Sequence, residues 1–361
     1  MAKKRKSLSE AVDKELKSSF SLDSFKNKKG LASNVKFKSQ DWIPLSPAFQ
    51  EVTSVPGIPL GHISLLRGHS DTGKTTALLE AAVAAQKRGI LPVFIITEMK
   101  WSWEHAKMMG FEVDEIFDAE TGELVDYEGQ FLYVDRETLH TIEDVAAFIL
   151  DLMDEQKKGN LPYDLLFLWD SIGSIPCEMS VKSNKNNNEW NAGAMSTQFG
   201  NNVNQRITLS RKESSKYTNT LFIVNKVGVA PALTPMSQPR MTNKGGDTFY
   251  YDVSLCLTFG NVTNAGTSKL NAVKDKKKVE FALRTKIACD KNHINGITTM
   301  GTIVSTVHGF IKDDPNAIKK YKDAHVHEWA DILGQGTYTV QEDNSEWDEK
   351  APTPDLFENE D

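Results

Sequence analysis

Residues 68–75 read GHSDTGKT, and no other segment constrains the fold of this chain as tightly. The pattern G-x-x-x-x-G-K-T stands between an apolar run, HISLLR at 62–67, and a helical one, TTALLEAAVAAQKRG at 75–89, so a strand is expected to turn through a loop into a helix. Leu78, Ala81, Ala82 and Ala85 repeat at helical spacing, and Gly89 suits a helix C-terminus. A loop of this kind surrounds phosphate. Gly68 and Gly73 let the backbone curl so that the N–H groups of His69, Ser70, Asp71 and Thr72 point inward, and the helix opening near Lys74 adds the positive end of its dipole. Lys74 is placed to reach the β- and γ-phosphates, Thr75 to offer its hydroxyl to Mg²⁺, and Thr76 to complete the first helical turn, so ATP with Mg²⁺ is the expected ligand.

Further apolar, β-branched runs alternate with helical patterns: LPVFIIT at 91–97, QFLYV at 130–134, LLFLW at 165–169 and TLFIVN at 220–225. That rhythm predicts an α/β fold with a mostly parallel central sheet of right-handed crossovers. VSLCLTFG (253–260) and VEFALRTKIA (279–288) read as two strands joined without a long crossover, in a hairpin whose tip carries KDKKK at 274–278. Two stretches, 174–193 and 227–246, are rich in Asn, Ser, Lys, Pro and Gly and are expected to be long irregular loops after sheet strands, where open α/β folds present ligands. No repeat of solenoid length is present.

The net charge of −7 is unevenly spread along the 361 residues. Residues 1–38 carry +7 and residues 342–361 carry −8, leaving a mildly acidic middle, and like-charge ends of this kind also occur as plain solvated disorder. The basic start is followed by SLSEAVDKELK in place of an apolar signal core, and no run is long enough to span a membrane, so a cytoplasmic protein without membrane contacts is expected. Cys177, Cys256 and Cys289 form no metal-binding or disulfide pattern and are expected as buried thiols.

Two carboxylates complete the chemistry. Asp170 ends the apolar run LLFLW and is placed to hold the Mg²⁺ shell, with Ser171 beside it; a turn residue capping the strand is the plainer alternative. Glu98 ends LPVFIIT, where a base could orient and deprotonate water, although on spacing alone a surface glutamate fits equally well.

Taken together, PGIPLGHISLLRGHSDTGKTT, ITEMKWSWEHAKMMGFEVD, NTLFIVN and NKGGDTFYYDVS resemble the RecA family, over about residues 45–310. SLDSFKNKKGLASNVKFK (21–38) further looks like the phage UvsX branch, with bacterial RecA proper a weaker match. The resemblance implies a RecA-type P-loop core at 45–310, a basic subunit-docking arm at 1–44 bearing Phe20 and Phe25, a small C-terminal segment at 311–341 and an acidic disordered tail at 342–361. It makes Glu98 the catalytic base, puts His105 at the base-stacking position in place of the usual Tyr, and puts Lys226, after Asn225, at the γ-phosphate sensor in place of Gln or His. His105 also reads as an ordinary helix histidine. It assigns 174–193 and 227–246 to DNA, with Lys182, Lys185, Arg240 and Lys244 as phosphate contacts, the Gly245–Gly246 pair as N–H donors, Trp190 as a stacking platform or an ordinary exposed tryptophan, and Leu233, Met236 or Met241 as wedges. Arg284 and Lys286 match paired basic residues that reach a neighbouring subunit's site, and otherwise read as exposed strand cations.

The function implied is an ATP-dependent recombinase that forms helical filaments on single-stranded DNA and pairs it with homologous double-stranded DNA. Single-strand-binding and loader proteins would be further partners, in the host cytoplasm if the chain is phage-encoded. The alternatives are a hexameric helicase or repair ATPase on the same core, and a non-catalytic DNA-coating protein that binds ATP.

Overall fold

The computed structural model describes residues 21, 24, 36–185, 187–230, 239–334, 336–344 and 347. The chain divides into two units. The first comprises Met1–Ser39 with Lys212–Ser214, and within it Phe37 pairs with Lys212 in an isolated antiparallel bridge. The arm's docking residues Phe20 and Phe25 lie outside the described residues.

The second unit, Gln40–Arg211 with Ser215–Asp361, is a mixed α/β protein around a large central sheet. In chain order its strands are β1 (Trp42–Pro44), β2 (Gly57–Pro59), β3 (Ile63–Gly68), β4 (Leu91–Ile96), β5 (Asp114–Phe117), β6 (Leu124–Glu128), β7 (Leu132–Asp135), β8 (Leu165–Asp170), β9 (Asn219–Ala230), β10 (Arg240–Asn243), β11 (Leu255–Phe259), β12 (Thr267–Lys274), β13 (Lys277–Asn292), β14 (Thr299–Thr306), β15 (Gly309–Lys312) and β16 (Thr339–Asp343). The helices are α1 (Pro47–Thr53), α2 (Lys74–Lys87), α3 (Trp103–Met108), α4 (Ile142–Lys158), α5 (Glu178–Ser183), α6 (Asn188–Met195), α7 (Asn204–Ser210), α8 (Thr248–Asp252), α9 (Pro315–Ala324) and α10 (Ala330–Leu333). Among the described residues no helix is long and apolar enough to cross a membrane.

The sheet runs β15-β14-β13-β11-β3-β9-β8-β4-β7, parallel from β11 to β7 and antiparallel from β11 outward to β15. The unbroken apolar runs follow from burial on both faces. Along β8, Leu166 and Leu168 pack on the α2 side while Leu165, Phe167 and Trp169 pack on the α4 side. Register then fixes the functional edge: Gly68 lies opposite Lys226, and Asp170 opposite both Val224 and Ile96, so the C-terminal ends of β3, β8 and β4 meet beside residues 224–226 of β9.

Several expectations need correction. The basic hairpin exists, but its arms are β12 and β13, with Asp275 and Lys276 at positive φ of 50° and 67°; residues 253–260 instead give β11, inserted between β3 and β13. The segment 174–193 is mostly helical. Its asparagines terminate helices: Asn184 ends α5 in the left-handed region, the Asn187 side chain accepts from Glu189 N at the start of α6, and buried Asn191 accepts from Cys177 N at 2.9 Å. In 227–246, β9 continues to Ala230 and pairs antiparallel with β10, and only 231–238, including Leu233 and Met236, lies outside the described residues. Residues 42–44, counted with the arm, form β1, because Ile43 is fully buried in the core. Residues 342 and 343, counted with the acidic tail, belong to β16, which pairs with β12. The three cysteines are free and buried, as expected.

Candidate functional site

The loop between β3 and α2 is shaped by two glycines. A Cβ on Gly68 would stand 2.3 Å from the Phe259 carbonyl oxygen, and Gly73 takes φ 90°, a left-handed conformation that opens α2. No side chain caps that end, so the N–H groups of Lys74, Thr75 and Thr76 are the unpaired donors of a helix start. They face a cavity of about 350 Å³ lined by the loop, Glu98, His105, Asp170 and Lys226.

Lys74 is 6 % exposed; its Nζ donates to the His69 carbonyl and to Thr72 Oγ1. Burial pushes this ammonium down to about 8, against the pull of Asp170, Glu98 and Asp71. Thr75 Oγ1 donates to Asp170 Oδ2 at 3.2 Å, and Asp170 is raised to about 6, mainly by burial and then by the Glu98 charge. The backbone N–H groups of Thr97 and Glu98 both donate to the Asp170 carbonyl, at 2.8 and 3.0 Å, which ties the end of β4 to the end of β8. A buried cation in a ring of unpaired N–H groups fits a phosphate chain, and the Thr75 hydroxyl beside a buried carboxylate fits a hard divalent cation.

Glu98 Oε1 lies 2.6 Å from Lys226 Nζ and 3.7 Å from Lys100 Nζ. Lys226 therefore meets a carboxylate in this structure, where the sequence suggested a contact to phosphate. Its strand also ties this edge to the Gly-Gly segment: Asn225 Nδ2 donates to the Lys244 carbonyl at 2.8 Å, and Lys244 N donates to the Lys226 carbonyl at 3.3 Å. His105 lines the cavity, with burial holding it below the ordinary histidine range and its Nε2 without a partner. Ser171 does not join the carboxylates; its hydroxyl bonds Ser174 at 2.9 Å.

A second cavity, of about 650 Å³, brings Lys185, Lys244 and Gly245 together with Arg136 and Asn188. Gly245 and Gly246, at φ 81° and 86°, press so closely on Ile172 and Ala192 that added Cβ atoms would come within 2.9 and 2.3 Å, which joins the two predicted DNA segments. Lys182 is exposed and paired with Glu178 at 2.6 Å. Trp190 packs half-buried against the core beside α4, and so is not a fully exposed tryptophan. Arg240 and Met241 lie apart from that cavity on β10, at a third, apolar one shared with Lys286. Arg284 is held by Asp313 at 2.8 Å and by Glu342, and Lys286 lies 5.1 Å over the Trp347 ring; neither lines the chain's own cavity beside Lys74.

Sequence reasoning missed Trp101, Ser305 and Arg136. Trp101 follows Glu98 closely enough to be suspected, whereas Ser305, which bonds Thr76 at 2.9 Å from β14, and Arg136 reach their cavities only through tertiary folding.

Fold and site thus define a mixed α/β protein with a partly parallel central sheet and a polar cavity at its C-terminal strand edge. The chain is similar to the RecA protein of Aquifex pyrophilus, 33% identical over 104 residues covering 27% of this chain and 29% of that one. It is 32% identical to RecA of Aquifex aeolicus over 111 residues, 29% and 31% of the two chains, and 40% identical to RecA of Lactococcus lactis over 60 residues, 17% and 16%. The chain spans less than a third of the length of the curated relatives it matches. This partial homology supports the RecA family in general. No family model matches.

Proposed function

We propose that this chain is a DNA-dependent ATPase and recombinase of the phage UvsX-like branch, which polymerises on single-stranded DNA and pairs it with a homologous duplex in recombination, repair and recombination-dependent replication. The observation that carries the reading is the convergence of Lys74, Thr75, Asp170 and Glu98 on one cavity whose flanking strand, through Asn225 and Lys226, is bonded to Lys244. Partial similarity to RecA proteins supports the same assignment.

In this reading the loop N–H groups of residues 69–75 and Lys74 hold the β- and γ-phosphates, and His105 lies against the base. Thr75 and Asp170 would hold Mg²⁺, which neutralises phosphate charge when bound. Glu98 orients a water molecule and takes its proton as the water oxygen bonds to the γ-phosphorus; the bond from that phosphorus to the β–γ bridging oxygen breaks, leaving ADP and phosphate. Lys226 competes for Glu98, so the base works freely once that 2.6 Å pair opens. Lys185, Lys244, Arg240 and Lys182 neutralise DNA phosphates without reading sequence. Arg284 and Lys286 act on a neighbouring subunit's γ-phosphate.

Electron microscopy with single-stranded DNA and a slowly hydrolysed ATP analogue tests the proposal alongside steady-state ATPase. Open helical filaments and DNA-stimulated hydrolysis, the latter lost in Lys74→Ala, are expected. Closed rings, or turnover indifferent to both DNA and Lys74, would rule it out.

A further inference from the structure

At the corner where the turn between β14 and β15 meets the end of α9, His308, His325 and Glu328 each offer one ligand atom, and these atoms lie within 4.8 Å of one another. None of the three belongs to the lining of the cavities described above. His308 sits in the turn, its N–H held by Thr306 Oγ1 at 3.1 Å; His325 ends α9, and Glu328 closes the single helical turn Val326–Glu328 that follows. The two imidazole rings stack with centroids 4.3 Å apart, a contact that neutral rings accept and two imidazolium cations resist.

Orientation separates this cluster from a chance gathering. Tyr321 holds both rings by the same nitrogen: its hydroxyl is 2.8 Å from His308 Nδ1, and its carbonyl accepts from His325 Nδ1 at 2.9 Å. A carbonyl only accepts, so His325 carries its proton on Nδ1 and keeps a lone pair on Nε2. Engaging one ring nitrogen so that the other is aimed outward is how proteins fix ligating imidazoles. Glu328 Oε1 lies 3.4 Å from His308 Nε2. That is long for an N–H···O bond, which centres on about 2.9–3.0 Å. It matches the separation of two ligand atoms that each stand about 2.0–2.1 Å from a tetrahedral centre. His327 Nε2, 3.9 Å from the same carboxylate oxygen and exposed, leaves a fourth position to itself or to water.

We propose that His308, His325 and Glu328 form a transition-metal site that takes Zn²⁺ or Co²⁺ and pins the C-terminal helical segment to the β14–β15 turn. Two imidazoles and one carboxylate suit these ions over Mg²⁺ or Ca²⁺, which prefer all-oxygen shells. The site is independent of the nucleotide reading, and its test needs no nucleotide. Full-length protein, stripped with a chelator, is titrated with Co²⁺ and followed by visible absorption and thermal unfolding. One Co²⁺ per chain should bind with the d–d bands of a low-coordinate site, be displaced by Zn²⁺, and raise the unfolding midpoint by several degrees. His325→Gln and Glu328→Gln, each confirmed folded by circular dichroism, should lose both signals, and His140→Gln, at an exposed histidine outside the cluster, should keep them. Tyr321→Phe removes only the hydroxyl that orients His308 and should weaken binding about 10-fold. A folded wild-type protein that binds no Co²⁺ in excess metal, or binding that survives both ligand substitutions, would overturn the assignment in favour of a plain stacked and hydrogen-bonded cluster.

Discussion

Replacing Asp170 by Asn is expected to stabilise the nucleotide-free protein and, on the proposed function, to abolish ATP hydrolysis. The carboxyl is buried at the end of β8 and raised from 3.8 to about 6, first by burial and then by the Glu98 charge, with Thr75, Lys74 and Lys226 opposing. Because the folded value lies above the unfolded one, folding with a charged Asp170 carries a penalty. It is absent at pH values where both states hold the proton, grows as pH rises from 3.8 towards 6, and is constant above that. A rise of about two pH units corresponds to about 3 kcal/mol. The attraction of Lys74 and Lys226 is already contained in that figure, and an Asn amide oxygen still accepts from the Thr75 hydroxyl. Urea unfolding of wild type and Asp170→Asn, without nucleotide or Mg²⁺, reads the difference: about 3 kcal/mol in favour of the variant at neutral pH, and about half of that near pH 5. A variant no more stable than wild type at neutral pH, or an advantage that does not change with pH, would refute the reasoning.

Other outcomes follow from the same geometry. The value of kcat/KM should fall below about pH 6 as Asp170 takes up a proton and above about pH 8 as Lys74 loses one; a profile flat down to pH 5 would exclude Asp170 from the working site. Lys226→Gln removes the cation 2.6 Å from Glu98 and should raise ATPase without DNA several-fold while shrinking stimulation by DNA, so an unchanged basal rate argues against restraint by this pair. Gly68→Ala forces a Cβ to within 2.3 Å of the Phe259 carbonyl and should cost ~2–3 kcal/mol in urea unfolding, against ~1 kcal/mol for Gly89→Ala, where nothing lies within 4 Å. Equal losses would show that strain at positive φ, and not close approach, sets the requirement for glycine. Lys74→Ala and Arg284→Ala/Lys286→Ala subunits, each inactive alone, should recover part of the DNA-stimulated ATPase when mixed; no recovery despite co-assembly would remove the trans-acting role.

Most of the parallel half of the sheet was legible because strands buried on both faces must be apolar throughout, as β3, β4, β8 and most of β9 are, while the edge strand β7 is only partly buried and still reads as an apolar run. Lys74, Thr75, Asp170 and Glu98 were legible for a related reason: each ends a strand or opens a helix, so register alone brings them together. The antiparallel half was harder to read. Residues 267–274, TSKLNAVK, show neither an unbroken apolar run nor strict alternation, and their identity as β12 depends on pairing with β13 and β16. Asparagine-rich residues 174–193 looked irregular because Asn favours turns, yet the same preference ends and starts the short helices α5 and α6. The partial burial of Trp190 was not legible because sequence does not tell which side of α6 meets the core. The partners of Arg284 were invisible for want of local signal: Asp313 lies 29 positions away and Glu342 lies 58.

Lys226 is where these threads meet. A neutral sensor residue leaves the neighbouring carboxylate free, whereas a lysine 2.6 Å from Glu98 lowers the availability of that carboxylate as long as both side chains hold their places. The same residue accepts a backbone hydrogen bond from Lys244, and its neighbour Asn225 donates to the Lys244 carbonyl, so the strand that carries the lysine is bonded directly to the Gly-Gly segment. On the proposed function, DNA phosphate at Lys244 acts on a backbone bonded twice to residues 225 and 226. A shift of that backbone by a fraction of an ångström is enough to weaken a contact as short-ranged as a charged hydrogen bond. The pair then acts as a latch, with hydrolysis held down in the empty protein by an attraction inside the chain and released by a competing charge at Lys244.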